Sequence, residues 1–164
     1  MTKDAPPLPA EHAAFMQGGV SIIVAARNAD NDTTVSRALC CRVSADRRRV
    51  TLFLSAAQSG ALLADVRANG VIAVVFNEPS THRAIQLKGT DAAVVPLPAD
   101  HAHELAAYRR LMVEEVRPRG VSEAFVKTIL AASPGDVVAL AFTPAAAFLQ
   151  TPGPKAGTQL DLPT

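Results

Sequence analysis

Two arginines stand where the pattern of the chain calls for an apolar residue. In Val35-Ser36-Arg37-Ala38-Leu39-Cys40-Cys41-Arg42-Val43, Arg37 shares its alternation phase with Val35, Leu39, Cys41 and Val43. Successive side chains of a strand point to opposite faces, so Arg37 is expected to point with four hydrophobes. Arg83 repeats the pattern, in phase with Ile85 and Leu87 in Arg83-Ala84-Ile85-Gln86-Leu87-Lys88-Gly89. A guanidinium on an apolar face is costly unless an anion meets it. Between the two, Ser59 reads as the N-cap of a short helix, which leaves the amides of Gly60, Ala61 and Leu62 at its positive end. Gly60 adds no side chain to block a close approach, and Arg42, on the other face of Arg37's strand, offers a further cation. Together these residues predict a pocket for a phosphorylated or carboxylated ligand. The competing reading pairs Arg37 and Arg83 with acids such as Asp65, Glu78 or Asp91, or leaves them in water at strand ends.

Other chemistry finds less support. His101 and His103 are two apart on a predicted helix, so they do not share a face, and no further His or Cys supplies a third ligand; no metal site is expected. Cys40-Cys41 lacks CxxC spacing and reads as a pair of small buried hydrophobes. There is no GxSxG motif, and Arg47-Arg48-Arg49 lies at a turn, as a solvated tip would. His82 precedes Arg83 and faces the opposite way, either at a ligand's rim or at the end of a turn; no catalytic residue is assigned.

The elements that position these residues alternate between hairpins and helices. A helix over 10–17 ends at Gly18-Gly19. Strands over 20–26, 33–43 and 49–55 are joined by polar turns too short for helical crossovers, so they pair antiparallel. The Ser59 helix closes at Asn69-Gly70, and 71–76 is a continuous apolar run, expected to be a strand buried on both faces. A long strand over 82–95 bends at Gly89, helices follow over 100–116 and 122–132, and 137–142 is a final strand. Six strands joined mostly by hairpins predict a mainly β fold, an antiparallel barrel with peripheral helices. Residues 1–9 are expected to form a flexible arm, 10–150 one domain, and 151–164 an irregular tail that could fold over a cleft as a lid.

The 164 residues carry 16 basic and 15 acidic side chains, a formal charge of +1, which gives no bias toward nucleic acid or a membrane surface. One Tyr and no Trp leave little for bases to stack on. An apolar fraction of 49% built on Ala, Val and Leu favours a close-packed interior and a buried oligomer interface. Adjacent cysteines cannot easily bridge each other, and no charged-then-apolar leader is visible, so a reducing cytoplasm is expected.

In order and content these segments resemble the pyridoxamine 5′-phosphate oxidase-like family of FMN-binding split barrels. The likeness runs from about residue 15 to 95, with weaker agreement to 142. Arg37-Ala38-Leu39-Cys40-Cys41-Arg42 is similar to the family's second-strand motif of a basic residue, four apolar ones and another basic residue. Residues 55–70 resemble its third-strand loop and short helix, 71–76 its apolar fourth strand, and 83–89 its fifth strand, which commonly ends basic-apolar-Gly. The resemblance implies a six-stranded Greek-key split barrel, a cytoplasmic homodimer with the ligand cleft at the subunit interface, and FMN as cofactor. It implies that the phosphate rests on Arg37, Arg42, Ser55, Ser59 and the helix amides that begin at Gly60, that the strand backbone of Ala38, Leu39 and Cys40 lies near the isoalloxazine, and that Arg83 also belongs to the cofactor site. Many relatives carry a lysine in the first turn of the short helix; Leu62 stands there in this chain. Nor is the vitamin oxidase's Arg-rich C-terminal segment matched by Gly153-Pro154-Lys155-Ala156-Gly157-Thr158-Gln159-Leu160. The implied function is a flavin-dependent oxidoreductase acting on a small organic substrate, with NAD(P)H as a candidate electron donor. The alternatives are a non-catalytic module of the same fold holding FMN, haem or another anion, and a ligand-free dimer whose arginines make salt bridges.

Overall fold

A computed structural model describes residues 6–162. Ten strands among them form two antiparallel sheets: β1 (Ser21–Arg27), β2 (Thr33–Arg37), β3 (Cys40–Val43), β4 (Val50–Ser55), β5 (Ile72–Asn77), β6 (Ala84–Gly89), β7 (Ala93–Val95), β8 (Val137–Phe142), β9 (Ala146–Leu149) and β10 (Gln159–Leu160). The six-stranded sheet runs β10-β9-β6-β5-β1-β2 and the four-stranded sheet β3-β4-β8-β7. Their facing sides enclose one core, which includes Ile22, Val24, Val74, Phe76 and Leu87 from the first sheet and Leu52, Leu54, Leu140 and Phe142 from the second. Four α-helices lie around the sheets: α1 (Ala10–Met16), α2 (Gly60–Asn69), α3 (His101–Val116) and α4 (Glu123–Ile129). The architecture is mainly β with peripheral helices.

The expected strand over 33–43 is two strands in different sheets. The amide of Ala38 donates to the Ile22 carbonyl at 3.0 Å, in the six-stranded sheet, and that of Leu39 to the Phe53 carbonyl at 2.7 Å, in the four-stranded one. Residues 38–41 are all buried, so alternation resets at this corner. That overturns the expectation that Arg37 faces inward. Val35, in its phase, is 62% exposed, and Arg37 lies on the outer side of the larger sheet, opposite Ile23. The long strand predicted over 82–95 likewise divides into β6 and β7. Gly89 makes this possible by close approach: a Cβ there would sit 2.7 Å from the Phe142 ring and 2.9 Å from the Thr143 carbonyl, where the chain turns from β8 toward β9.

The helices are held by specific polar ties. Arg42 clamps the start of α3 to β3, with Nε 2.5 Å from Glu104 Oε1 and Nη2 2.7 Å from Asp100 Oδ1. The buried hydroxyl of Tyr108 donates to the Val20 carbonyl. Gly70, at φ +68, closes α2 in the left-handed region. Residues 6–9 are not a loose arm: Leu8 is fully buried, and its amide donates to the Arg47 carbonyl at 2.8 Å. Nor is the C-terminal segment irregular throughout. The β10 strand pairs with β9, the Gly157 amide donates to the Leu149 carbonyl, and Leu160 and Leu162 pack on the core. Residues 1–5 and 163–164 of the predicted arm and tail lie outside the described residues.

The strand expected to be buried on both faces is covered on one. Ile72, Val74 and Phe76 are buried, whereas Val71, Ala73 and Val75 are half-buried. The outer side of the larger sheet carries Val35, Ile23, Ala25, Ala73, Val75 and Phe148 around Arg37, Gln86 and Lys88. It is an apolar face that the described residues leave partly open.

Two expectations follow from the corners. Gly89→Ala forces a methyl against a buried ring and a backbone oxygen, and should cost about 1–3 kcal/mol in a urea melt; an unchanged midpoint would contradict the close packing. Burial raises the pKa of both Cys40 and Cys41, and Cys41 also donates to the Met16 carbonyl. Neither thiol should react with a disulfide reagent at pH 8 in the folded protein, and both should react in denaturant. Because the folded thiol pKa lies above its unfolded value, this contribution to stability is complete at neutral pH and declines as pH rises past the ordinary thiol range.

Candidate functional site

Strand β2 and the start of α2 are joined by their serines. Ser36 points inward, and its Oγ lies 2.6 Å from Ser59 Oγ, both residues being buried. Ser59 was expected to cap α2 with its side chain; the hydroxyl bonds to Ser36 instead. The consequence is the same helix start, now seated against the end of β2. A second tie runs from Thr34 Oγ1 to Asp65 Oδ2 at 2.7 Å. No acceptor among the described residues meets the amides of Gly60, Ala61 and Leu62, and nothing lies within 4 Å of a Cβ built on Gly60. The next residue of β2 is Arg37, whose Nη1 donates to Ser21 Oγ at 2.8 Å. Adjacent residues of β2 thus lead to two anion-suited features, the open helix end reached through Ser36 on the inner side and the Arg37 guanidinium on the outer side.

The other predicted ligands have different surroundings. Arg42 is neutralised by Asp100 and Glu104, and Asp100 is held below the ordinary carboxylate range by that guanidinium. Arg83 precedes β6 and lies over the Phe15 ring, 4.5 Å from its centroid, on the core side of the sheet, whereas Arg37 is on the outer side. The two arginines do not converge, and an aromatic face meets Arg83 where an anion was expected. Ser55 donates its hydroxyl to Asp136, which also accepts the Ala57 amide at 2.8 Å; these bonds hold Asp136 below the usual carboxylate range. Ser55 thus fixes the loop between β4 and α2. Ala38, Leu39 and Cys40 are buried at the corner, and β3 is an edge strand, so part of its backbone faces away from β4. Leu62 is 1% exposed and belongs to the core. His82 is exposed at a turn, with φ +60.

A feature absent from the sequence reading is a cleft of about 1000 Å³ between α3, α4 and the β4–α2 loop. Ala106, Arg110 and Val113 face it from α3 and Arg117 from the turn that follows, a stripe at helical spacing, while Lys127 and Ala132 face it from the α4 side. The stripe was visible in the sequence. The opposite wall, from segments tens of residues away, was not.

No protein-family model and no curated protein matches the sequence. Solved structures do match. HupZ of Group A Streptococcus is 15% identical over 92% of this chain and 99% of its own, with a TM-score of 0.56. A candidate pyridoxamine 5′-phosphate oxidase of Lactobacillus delbrueckii is 14% identical over 89% and 97%, with a TM-score of 0.53. HutZ, the heme storage protein of Vibrio cholerae, is 12% identical over 87% and 94%, with a TM-score of 0.50. At these identities the likeness is one of fold. The chain has the fold of the pyridoxamine 5′-phosphate oxidase-like split barrels.

Proposed function

We propose that this protein is a cytoplasmic, homodimeric FMN-binding flavoprotein, working as a flavin-dependent oxidoreductase on a small organic substrate. The observation that supports FMN binding is the Ser36–Ser59 bond, which seats three open helix amides at the end of β2, the strand that also carries Arg37. A phosphate monoester needs cations and several donors. Arg37, the amides of Gly60, Ala61 and Leu62, and the space over Gly60 fit that need. Arg42 and Leu62's side chain do not contribute, so the donor set is adequate in hydrogen bonds and lean in charge. When bound, FMN would supply the hydride chemistry. The chain's own part is to anchor the phosphate with Arg37 and the helix start, and to orient the ring along the exposed backbone edge of β3. No residue is assigned to proton transfer.

A second copy is the proposed cover for the outer side of the larger sheet. Val35, Ile23, Val75 and Phe148 are apolar and incompletely buried there, and Arg37 lies on the same side, so pairing would enclose its guanidinium. The two buried, unpaired thiols suit a reducing compartment, and no helix among the described residues is long and apolar enough to cross a membrane. The second reading is a non-catalytic carrier of FMN, haem or another anion. It is favoured by the engagement of Arg42 with two carboxylates, which leaves Arg37 as the principal cation, and by the fold shared with a heme storage protein.

Absorption of the purified protein separates the readings: flavin bands support the first, a Soret band the second, and bleaching of bound flavin by NADH or NADPH marks an oxidoreductase. Arg37→Ala should weaken FMN about tenfold or more, the loss of a charge-assisted hydrogen bond; equal affinities by fluorescence titration would remove the basis of the proposal. Val75→Glu should convert a dimer to a monomer in light scattering, since a carboxylate cannot be buried unpaired at an apolar interface. A dimer that survives this substitution must pair through another surface.

A further inference from the structure

We infer that the cleft between α3, α4 and the β4–α2 loop is a second binding site, for a small amphipathic anion with one acidic head and an apolar body. At about 1000 Å³ it lies at the upper end of small-ligand pockets. Its apolar lining comes from Ala57, Ala106, Val113, Ala131 and Ala132.

The charges around this lining are unequally committed. Glu123 accepts from Lys127 at 2.8 Å, and Asp136 is occupied by Ser55 and the Ala57 amide. Arg109 uses Nε and Nη2 on the Leu130 carbonyl, at 3.2 and 2.7 Å, leaving Nη1 without an acceptor among the described residues. The guanidinium groups of Arg110 and Arg117 make no hydrogen bond or ion pair among the described residues; that of Arg117 acts on Glu123 only through space. Of the acids lining the cleft, Glu114 alone lacks such a partner there. The uncommitted groups are thus three guanidinium edges against one carboxylate. Guanidinium forks match carboxylate, sulfonate and phosphate oxygens, and the alanine and valine floor beside them accepts an apolar body. The cleft borders the β4–α2 loop through Ser55 and Gln58, but Arg37 does not line it, so its occupancy does not depend on FMN.

Anilinonaphthalene sulfonate is a suitable probe, having a sulfonate on an aromatic body. It should bind with a rise in fluorescence, be displaced by decanoate, and resist displacement by decyltrimethylammonium. Arg110→Gln combined with Arg117→Gln should weaken it about tenfold or more. Ala106→Trp, at an exposed position, should block it by filling the cleft. Arg37→Ala should leave its affinity unchanged, which separates this site from the proposed flavin site, and Val75→Glu should do the same, which separates it from the apolar sheet face. Unaltered affinity in both cleft variants, or equal displacement by the cationic amphiphile, would overturn the assignment.

Discussion

Everything in this fold depends on how the chain leaves one sheet for the other at Ala38–Leu39. Two successive amides donate to carbonyls of different sheets, Ile22 in the larger and Phe53 in the smaller. A buried amide left without an acceptor costs about 1–3 kcal/mol, so the corner has little freedom to slip. With this corner fixed, Ser36 faces inward to reach Ser59, and Arg37 faces outward. The corners at Gly89 and Thr143 pack against each other and complete the crossing between the sheets.

Strand alternation was legible wherever a strand stays in one sheet. Val20, Ile22, Val24 and Ala26 read as one face and are buried together. It failed at 33–43 because a corner buries four consecutive residues and resets the phase, so the inward arginine was an artefact of carrying one period across two strands. The helix over 60–69 was legible from Gly70, whose left-handed backbone ends it. Strands β9 and β10 were not: one follows a proline, and the other has two residues whose partners lie across a loop. At the site, residue types were legible and partnerships were not. Nothing local to Arg42 announces Asp100 and Glu104, and nothing local to Ser59 announces Ser36.

The arginines illustrate how differently one side chain can be satisfied. Its donors must be met by acceptors, a π face or water. Arg42 takes two carboxylates, Arg83 an aromatic ring, Arg37 a serine hydroxyl and Arg109 a carbonyl. Only the first neutralises the charge. The remaining positive potential is divided between the outer sheet face and the groove along α3, and this division makes two separate anion sites physically reasonable on a chain whose net charge is +1.

Helix α4 buries Val126 and leaves Phe125 55% exposed, and the Arg109 guanidinium ties its end to α3 through the Leu130 carbonyl. The wall of the groove is therefore latched by the same side chain whose remaining edge would greet an incoming acid. A guest that drew Arg109 away would unfasten the wall as it entered, coupling occupancy to the position of α4.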